Sequence, residues 1–370
     1  MKLYIIAGEA SGDLHGAALM SAITAKASSI HFRYWGGNEM KKISGTPVKH
    51  IRDLSFMGFT EVIRHLPTIL GNFRFAKRDI EEYRPDALIL IDYPGFNLRM
   101  AKWARKKGYK VIYYISPQLW AWNQSRAEKI RKYVDLMLVI LPFEKRFYED
   151  RQINAHYVGH PLAERLIDLP SDPGFRTRNE LDGRKIIALL PGSRKQEIAA
   201  MLPTMLRSQW PEEYQCVIAA APSQDKEFYQ NYLKGLKDIR IIFGQTYQVL
   251  KHAHAAIVTS GTATLETGLL KVPQVVCYKG SWLSYNIARR LIKVKYISLV
   301  NLILNRSLVP ELIQSDFNAG NLTKNLEDIL EGPKRQTILK GYMELHEKLS
   351  DKKASESAAQ LILDHIQSNA

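Results

Sequence analysis

One carboxylate in the first half of the sequence stands where a general base could act. Asp92 directly follows an apolar run, residues 89–91, and precedes Pro94 and Gly95. Because open α/β sheets bind ligands beyond the carboxyl ends of their strands, a carboxylate at this point could take a proton from a bound hydroxyl group. The same residue types also form an Asx turn or a helix cap, so the position alone leaves both interpretations open.

A glycine-rich turn follows the first apolar run of the chain. It reads Gly8-Glu9-Ala10-Ser11-Gly12-Asp13-Leu14-His15-Gly16. Such a turn lets the main chain approach a ligand and lets a helix N-terminus face an anion. The spacing is not G-x-G-x-x-G and no Gly-Lys-Ser/Thr follows, which excludes a dinucleotide fingerprint and a P-loop. A plain strand-to-helix turn, capped by Ser11 or Asp13, is the alternative.

Two turns in the second half combine groups that bind phosphate. Pro191-Gly192-Ser193-Arg194 offers main-chain N–H groups, a hydroxyl group and a guanidinium group, which together suit a diphosphate. Thr259-Ser260-Gly261-Thr262-Ala263-Thr264-Leu265-Glu266 repeats the arrangement, and Glu266 could accept hydrogen bonds from two adjacent ribose hydroxyl groups. The alternatives are a surface arginine on an ordinary turn and a capping box formed by Thr262 and Glu266.

The sequence favours neither a metal site nor a disulfide framework. It contains no Asp-x-Asp and no His-Glu-x-x-His, and its two cysteines, Cys216 and Cys277, are far apart. We therefore expect no metal, with main-chain dipoles and arginine stabilising a diphosphate in its place. The cysteine usage fits a reducing compartment.

An apolar stretch interleaved with basic residues runs from Phe56 to Arg78, and a second mixed stretch covers residues 282–306. This pattern is typical of an interfacial helix or an acyl-chain site, although a core helix with a solvated face produces it too. The residues that we expect to contact a membrane or acyl chains are Phe56, Phe59, Val62, Ile63, Leu66, Ile69, Leu70 and Phe73.

Length and charge bound the class of protein. The chain has 370 residues, with 52 Lys and Arg against 37 Asp and Glu, a formal net charge of +15. This length most simply makes two domains, and the positive field attracts phosphates in nucleotides, nucleic acid or anionic lipid. No stretch approaches the roughly 18 consecutive apolar residues of a membrane span, and the N-terminus is typical of a buried strand rather than a signal peptide. Any membrane contact is therefore expected to be peripheral.

Short apolar runs alternate with segments of helical length through both halves, which predicts an α/β fold with doubly wound parallel sheets. The predicted strands cover residues 3–7, 32–35, 87–91, 111–115, 136–140, 156–158, 186–190, 216–220, 240–243, 256–259 and 274–278. Prolines and glycine within 162–185 mark an interdomain connection. We expect an N-terminal domain over 1–168, a C-terminal domain over 183–349 and a central cleft between them. A terminal helix over 350–370 would pack on the N-terminal domain or on a partner chain.

Taken together, these motifs resemble the lipid-A-disaccharide synthase family, bacterial glycosyltransferases of the GT-B type with two Rossmann-like domains. The resemblance runs over nearly the whole chain, and the ordered set of motifs is specific although each one is weak. Besides the turns described above, it rests on residues 56–62, 92–97, 116–122, 141–144 and 158–161.

The resemblance implies a reaction. The donor would be UDP-2,3-diacylglucosamine, a substrate rather than a cofactor, and the acceptor 2,3-diacylglucosamine 1-phosphate. Inverting transfer would give the β-1,6-linked lipid A disaccharide 1-phosphate and UDP. The resemblance also implies peripheral attachment to the anionic cytoplasmic face of the inner membrane, which the basic charge independently suits. No nucleic-acid partner is expected, and a homodimer remains open.

The resemblance also implies roles for single residues. Asp92 would deprotonate the acceptor 6-hydroxyl group. The acceptor side would be lined by Glu9, Ser11, Asp13 and Asn97. UDP would be bound by Gly192, Ser193, Arg194, Ser260, Gly261, Thr262, Glu266, Tyr278 and Asn301. Glu311 would be a further contact in the second domain, and the segment 116–122 would support the floor of the cleft.

Two rival functions remain. A UDP-N-acetylglucosamine epimerase, or a transferase to a polyprenyl-linked sugar, would share both nucleotide motifs but would not need the apolar and basic stretch of 56–78. A nucleic-acid-binding protein could use the charge and the aromatic residues for phosphate contact and base stacking. Against that second rival, no nucleic-acid module is recognisable, and most aromatic residues fall in strand-like runs.

Overall fold

The structure is a computed structural model that describes residues 1–27, 29–54, 66–122, 124–167, 169–236, 238–280 and 294–368. The chain forms two compact units. The first comprises Met1–Pro161 and Asp351–Ala370, and the second comprises Leu162–Ser350. Each unit contains one sheet in which every strand pair is parallel.

The first unit is built on a seven-stranded sheet in the order β3-β2-β1-β4-β5-β6-β7. Its strands are β1 Lys2–Ala7, β2 His31–Gly36, β3 Lys49–His50, β4 Ala87–Ile91, β5 Lys110–Tyr114, β6 Leu136–Val139 and β7 Ala155–Tyr157. The central strands β1 and β4 are apolar and buried on both faces, as expected for a sheet covered by helices on two sides.

Helices connect these strands and close the unit. They are α1 Ala10–Lys26, α2 Asn38–Ser44, α3 Leu66–Tyr83, α4 Pro94–Lys106, α5 Leu119–Trp122, α6 Ala127–Tyr133 and α7 Pro142–Glu149, followed at the end of the chain by Ala354–Gln367. This terminal helix buries Ala358, Ile362 and Ile366 in the core of the first unit. Lys110 of β5 also donates a hydrogen bond of 2.9 Å from Nζ to the carbonyl of Ile366.

The second unit repeats the design with a six-stranded sheet in the order β10-β9-β8-β11-β12-β13. Its strands are β8 Lys185–Leu190, β9 Tyr214–Ala220, β10 Ile239–Phe243, β11 Ala253–Thr259, β12 Gln274–Tyr278 and β13 Glu311–Ile313. Its helices are α8 Pro161–Leu166, α9 Phe175–Arg178, α10 Lys195–Met205, α11 Lys226–Gln230, α12 Thr246–His252, α13 Thr262–Leu269, α14 Leu299–Leu304, α15 Ala319–Leu330 and α16 Gly332–Ser350. The terminal helix Ala354–Gln367 is α17.

The connection between the two strand series belongs to the second unit. Gln248 of α12 holds it by donating to the carbonyl of Pro170 at 3.0 Å and accepting from the N–H of Asp172 at 3.0 Å. Phe175 is fully buried and stacks on His252. Residues 162–168, predicted in the N-terminal range, thus lie in the second unit, because the connection packs on the helix that precedes β11.

The doubly wound α/β fold predicted from the sequence is confirmed, and each predicted strand is present within a few residues of its predicted bounds. The sequence missed β3 and β13. β3 is a pairing of only two residues, and β13 starts with a charged residue after Pro310. Neither shows the apolar run by which the other strands were found. In the described part of the chain no helix is long and apolar enough to cross a membrane.

Candidate functional site

Asp92 and the glycine-rich turn leave the first sheet at the same edge. Strands β1 and β4 are parallel neighbours, with Ala7 paired to Ile91. The next residues of each strand therefore lie side by side at the carboxyl end of the sheet. Here Gly8 packs so closely under the ring of Tyr93 that a Cβ atom on residue 8 would collide with that ring. The sequence thus brings Glu9 and Asp92 together.

The main chain at Asp92 has a conformation that few residues other than glycine adopt. The φ angles of Asp92 and Tyr93 are 44° and 49°. Three hydrogen bonds hold it. The N–H of Asp92 donates to the carbonyl of Tyr114 at 3.1 Å, and its carbonyl accepts from Nδ2 of Asn97 at 2.8 Å and from the hydroxyl of Tyr113 at 2.7 Å. Such strain persists only where the surroundings fix it, and it concentrates at functional sites.

The electrostatic surroundings make Asp92 a stronger base than an ordinary carboxylate. Burial and, to a lesser extent, the nearby charge of Glu9 together raise the pKa of Asp92 to about 6, while the hydrogen bond from the N–H of Tyr93 opposes the shift. A carboxylate with a pKa near 6 is mostly ionised at neutral pH and takes a proton more readily than one with a pKa near 4.

Two residues predicted on the acceptor side instead support this edge from within. The carboxylate of Asp13 is only 4% exposed and accepts from the N–H groups of Gly37, Glu39 and Met40, capping α2. Asn97 is fully buried beneath Asp92. Both side chains are buried in the described structure, and their acceptor-side roles stay predictions. Ser11 lies exposed on the first turn of α1 and stays a prediction.

An apolar pocket of about 550 Å³ runs along α3 and α4, starting at the residue after Asp92. Among the described residues its lining is Ile69, Leu70, Phe73, Lys77, Tyr93, Gly95, Phe96, Arg99, Lys102, Trp103 and Lys106. Three residues of the predicted membrane or acyl set, Ile69, Leu70 and Phe73, thus meet here. Of the others, Phe56, Phe59, Val62, Ile63 and the side chain of Leu66 lie outside what the structure describes.

In the second unit, three neighbouring strands end at one pocket of about 330 Å³. These strands are β9, β8 and β11, which are adjacent in the sheet. The pocket brings together the predicted residues Gly192, Ser193, Ser260, Gly261, Thr262 and Glu266. The helices α10 and α13 begin directly after these turns, so that the positive ends of two helix dipoles lie beside the pocket. The arrangement suits an anionic ligand.

Two further residues of this pocket were not singled out from the sequence. Thr259 is 4% exposed, and its hydroxyl has no hydrogen-bond partner among the described residues. Glu197 accepts a hydrogen bond of 2.9 Å from the N–H of Ser193. Gly192 has a φ of 115°, and a Cβ atom there would collide with the Glu197 carboxylate. Glu197 was not singled out from the sequence, although a glutamate in the first turn of a helix often accepts hydrogen bonds from the N–H groups just before it.

Glu266 is held at the pocket wall by a hydrogen bond from a tyrosine. The hydroxyl of Tyr247 donates to Oε1 of Glu266 at 2.9 Å, and the Arg165 guanidinium lies 5.0 Å from the centre of the Tyr247 ring. Burial raises the pKa of Glu266, while the Tyr247 bond and the Arg165 charge oppose the rise. One carboxylate oxygen thus has a fixed partner, which orients the side chain.

Three residues predicted to bind UDP, Arg194, Tyr278 and Asn301, do not line this pocket. Arg194 is exposed at the start of α10, and Tyr278 is the half-buried last residue of β12. Asn301 is fully buried, accepting from the N–H groups of Leu308 and Val309 and donating to the carbonyl of Val309 and to Glu311. The amide of Asn301 thus has internal partners on both sides, and its role in binding UDP stays a prediction.

The carboxylate of Glu311 also has hydrogen-bond partners within the second unit. Its carboxylate accepts from the N–H groups of Ile297 and Ser298 at 2.9 and 3.0 Å, and from Asn301 Nδ2 at 2.8 Å. It caps the start of α14 and does not line the pocket at Ser193 and Ser260. Among the described residues no group of three or more His, Cys, Asp or Glu side chains could hold a metal ion.

The segment after β5, predicted as a cleft floor, packs against a buried carboxyl group. Glu144 of α7 is 1% exposed and accepts hydrogen bonds from Trp120 Nε1 at 3.1 Å and from the N–H of Leu141 at 2.9 Å. Burial raises the pKa of Glu144 to about 7, although these hydrogen bonds stabilise the charged form and oppose the rise. Ser116 is bonded to the hydroxyl of Tyr148 at 2.6 Å. This network fixes the segment behind the Asp92 edge.

Solved structures share this fold. The UDP-GlcNAc 2-epimerase of Methanocaldococcus jannaschii, in complex with UDP-GlcNAc and UDP, has a TM-score of 0.63 at 13% identity, with 100% of both chains covered. The calicheamicin glycosyltransferase has a TM-score of 0.63 at 13% identity, covering 100% of this chain and 99% of that one. The glycotransferase of kitacinnamycin has a TM-score of 0.66 at 11% identity, covering 99% of each. The chain therefore has the GT-B fold, with two Rossmann-like domains.

The sequence comparison narrows the class to one family. The family model described as lipid-A-disaccharide synthetase matches residues 3–364. The lipid-A-disaccharide synthase of Anaeromyxobacter sp. (strain K) is 41% identical over 340 residues, which cover 89% of this chain and 88% of that one. That of Syntrophus aciditrophicus is 39% identical over 373 residues, covering 98% and 97%. The chain belongs to the lipid-A-disaccharide synthase family and is a glycosyltransferase of lipid A disaccharide synthesis.

Proposed function

We propose that this protein transfers the 2,3-diacylglucosamine unit of UDP-2,3-diacylglucosamine to the 6-hydroxyl group of 2,3-diacylglucosamine 1-phosphate. The products are the β-1,6-linked disaccharide 1-phosphate and UDP. The observation that carries the proposal is the conformation of Asp92: a strained residue, held by three hydrogen bonds, with a raised pKa at the carboxyl edge of the first sheet. Membership of the family supports the substrate pair.

Asp92 acts as the general base. It removes the proton from the 6-hydroxyl group as that oxygen attacks the anomeric carbon of the donor and the bond to UDP breaks on the opposite face. The configuration at that carbon is therefore inverted. Glu9 raises the basicity of Asp92 through its charge, while Asn97 and Tyr113 hold the Asp92 main chain. Ser11, exposed beside this edge, binds the acceptor with Glu9.

The second unit binds the UDP that leaves. The turn at Gly192 and Ser193 and the turn at Ser260, Gly261 and Thr262 stabilise the developing negative charge of the diphosphate through N–H groups, hydroxyl groups and two helix dipoles. Arg194, at the start of α10, adds a guanidinium charge, and Tyr278 contributes beside β12. Glu266 binds the ribose hydroxyl groups with the carboxylate oxygen that Tyr247 leaves available. In this proposal these groups stabilise the leaving UDP without a metal ion.

We further propose that the protein attaches peripherally to the anionic cytoplasmic face of the inner membrane. The apolar residues Ile69, Leu70 and Phe73 of α3 support this placement, together with the formal net charge of +15. Phe56, Phe59, Val62 and Ile63 belong to the same predicted set and lie outside the described residues. A homodimer stays a prediction, with the terminal helix as one possible contact.

The decisive experiment for the substrate pair is product analysis. We expect the purified protein, in detergent with EDTA, to convert the two acylated substrates into UDP and one disaccharide monophosphate in equal amounts, measured by mass spectrometry. Omitting either substrate should abolish both products. UDP-N-acetylglucosamine supplied alone serves as the control for epimerisation. Release of UDP without disaccharide, or conversion of UDP-N-acetylglucosamine to its epimer, would contradict the proposal.

A further inference from the structure

The apolar pocket of the first unit has a basic rim that the proposed catalytic roles do not use. Lys77 of α3 and Arg99, Lys102 and Lys106 of α4 line it, and none of the described residues lining it is acidic. The three on α4 follow one another at intervals of three and four residues, so they lie on one face of the helix. The pocket therefore combines an apolar floor with four positive charges.

The ion pairs of neighbouring residues show that this rim differs from an ordinary solvated helix face. Arg105 pairs with Asp135 at 3.1 Å and Lys107 pairs with Glu81 at 2.9 Å. By contrast, Arg99, Lys102 and Lys106 form no ion pair with any described carboxylate, and Lys77 contacts only the rings of Phe73 and Trp103, at 4.6 and 5.6 Å from their centres. The charges that face the pocket are the ones without an acidic partner.

We propose that this rim, with Arg99 and Lys102 as its centre, binds the phosphate group of the acylated acceptor while an acyl chain lies on the apolar floor. The occupant is an amphiphile that carries a phosphate monoester, because such a molecule matches both the apolar floor and the basic rim. A guanidinium fork beside an ammonium group suits the several oxygens of a monoester. This inference rests on the proposed function, since it assigns the part of the acceptor that is distant from the reacting hydroxyl group.

The position of the rim along α4 fits this assignment. The helix starts right after Asp92, and its rise places Arg99 about 9 Å and Lys106 about 20 Å beyond Tyr93 along the axis. A phosphate held at Arg99 and Lys102 leaves the 6-hydroxyl group, which is two ring atoms away from the phosphate-bearing carbon, within reach of Asp92. The rim thus sets the direction in which the acceptor binds, with its 6-hydroxyl group toward the base.

The experiment compares two acceptors and two double variants in neutral detergent micelles. The acceptors are 2,3-diacylglucosamine 1-phosphate and the same sugar without its phosphate. The variants are Arg99→Gln/Lys102→Gln and the matched control Lys129→Gln/Lys132→Gln, which removes two exposed charges from α6 of the same unit. We expect the rim variant to raise the KM of the phosphorylated acceptor by about tenfold or more, with the donor KM, and the KM of the unphosphorylated acceptor, unchanged. The control variant should behave as the wild type.

Three results would overturn the assignment. The rim variant could lose activity equally with both acceptors, or it could keep the wild-type preference for the phosphorylated one. It could also lose only its binding to vesicles that contain anionic phospholipid, which would assign the rim to the membrane surface instead. If the wild type makes no disaccharide at all, the proposed function fails. Fluorescence titration of the wild type and the rim variant with each acceptor then tests the phosphate-binding role of the rim on its own. Phosphate-dependent binding that the rim variant loses would support the assignment, and equal binding of both acceptors would overturn it.

Discussion

Asn97 donates a hydrogen bond of 2.8 Å from its side-chain amide to the main-chain carbonyl of Asp92. The same amide nitrogen lies 3.1 Å from the carbonyl of Ile91. Asn97 therefore fixes the point where β4 ends and the left-handed conformation of Asp92 begins. The base is positioned through its main chain, by a residue whose side chain is fully buried.

We predict that Asn97→Ala lowers kcat by about tenfold to a hundredfold, because a displaced base no longer lines up with its hydroxyl group. The KM values of both substrates should change little. Tyr113→Phe, which removes the other donor to the Asp92 carbonyl, should produce a smaller loss in the same direction. Steady-state kinetics of both variants, alongside their melting temperatures, provide the check. A loss of kcat that simply follows the loss of folded protein would contradict a positioning role.

The pH dependence of the reaction should report the pKa of Asp92. We expect kcat/KM to fall as the pH drops below about 6, because protonation of Asp92 removes the base. Glu9→Gln removes a negative charge from beside Asp92, so the carboxylate form becomes easier to maintain and the midpoint should move to lower pH. Rate profiles at constant ionic strength measure both midpoints. An unchanged or higher midpoint in Glu9→Gln would contradict the electrostatic coupling of the two carboxylates.

Glu197 should oppose the binding of UDP. Its carboxylate accepts from the N–H of Ser193 in the pocket that we assign to the diphosphate. Glu197→Gln keeps an oxygen that can accept this hydrogen bond but removes the charge, so we expect UDP to bind up to about tenfold more tightly. Isothermal titration with EDTA present measures the dissociation constant. Weaker binding of UDP by Glu197→Gln would place the diphosphate elsewhere or give Glu197 a direct role in holding the turn.

The buried carboxyl group of Glu144 should make the protein less stable at alkaline pH. Its pKa of about 7 in the folded state lies above the ordinary value of 4.5. The stability that it contributes is thus fully present below pH 4.5 and is lost as the pH rises through 7, an effect of up to about 3 kcal/mol. Glu144→Gln cannot ionise, so its free energy of unfolding should decline less between pH 5 and 9 in urea titrations. Equal declines in both proteins would contradict the buried position of the charge.

Much of the fold could be predicted because local sequence patterns indicate its strands and turns. Each strand that is a run of Ile, Val, Leu or Tyr was found, and the turns after β1, β4, β8 and β11 were recognised from their residue types. What could not be predicted depends on contacts distant in sequence. Asp13 caps a helix that starts 25 residues later, and Asn301 holds the loop before β13. Both have residue types that also suit ligand binding, so only their buried surroundings distinguish the two roles.

The pocket of the second unit shows the same limit. The sequence indicated Ser193 and Thr262 from the two turns, since such turns are common phosphate sites. It gave no reason to add Tyr247, whose hydroxyl reaches Glu266 from a different helix. Thr259 was passed over because a hydroxyl at a strand end is ordinary unless its lack of a partner is known.

The central claim is that Asp92 is the base, and Asp92→Asn tests it most directly. This variant keeps the size of the side chain but cannot accept the proton, while Asp53→Asn is a matched control at an exposed carboxylate that pairs with Lys49 at 3.8 Å. The measurement is kcat for disaccharide formation with both acylated substrates at saturation and pH 7.5. We predict a loss of about a hundredfold or more for Asp92→Asn, with the donor KM unchanged and Asp53→Asn fully active. A value of kcat for Asp92→Asn within a few-fold of the wild type would contradict the account.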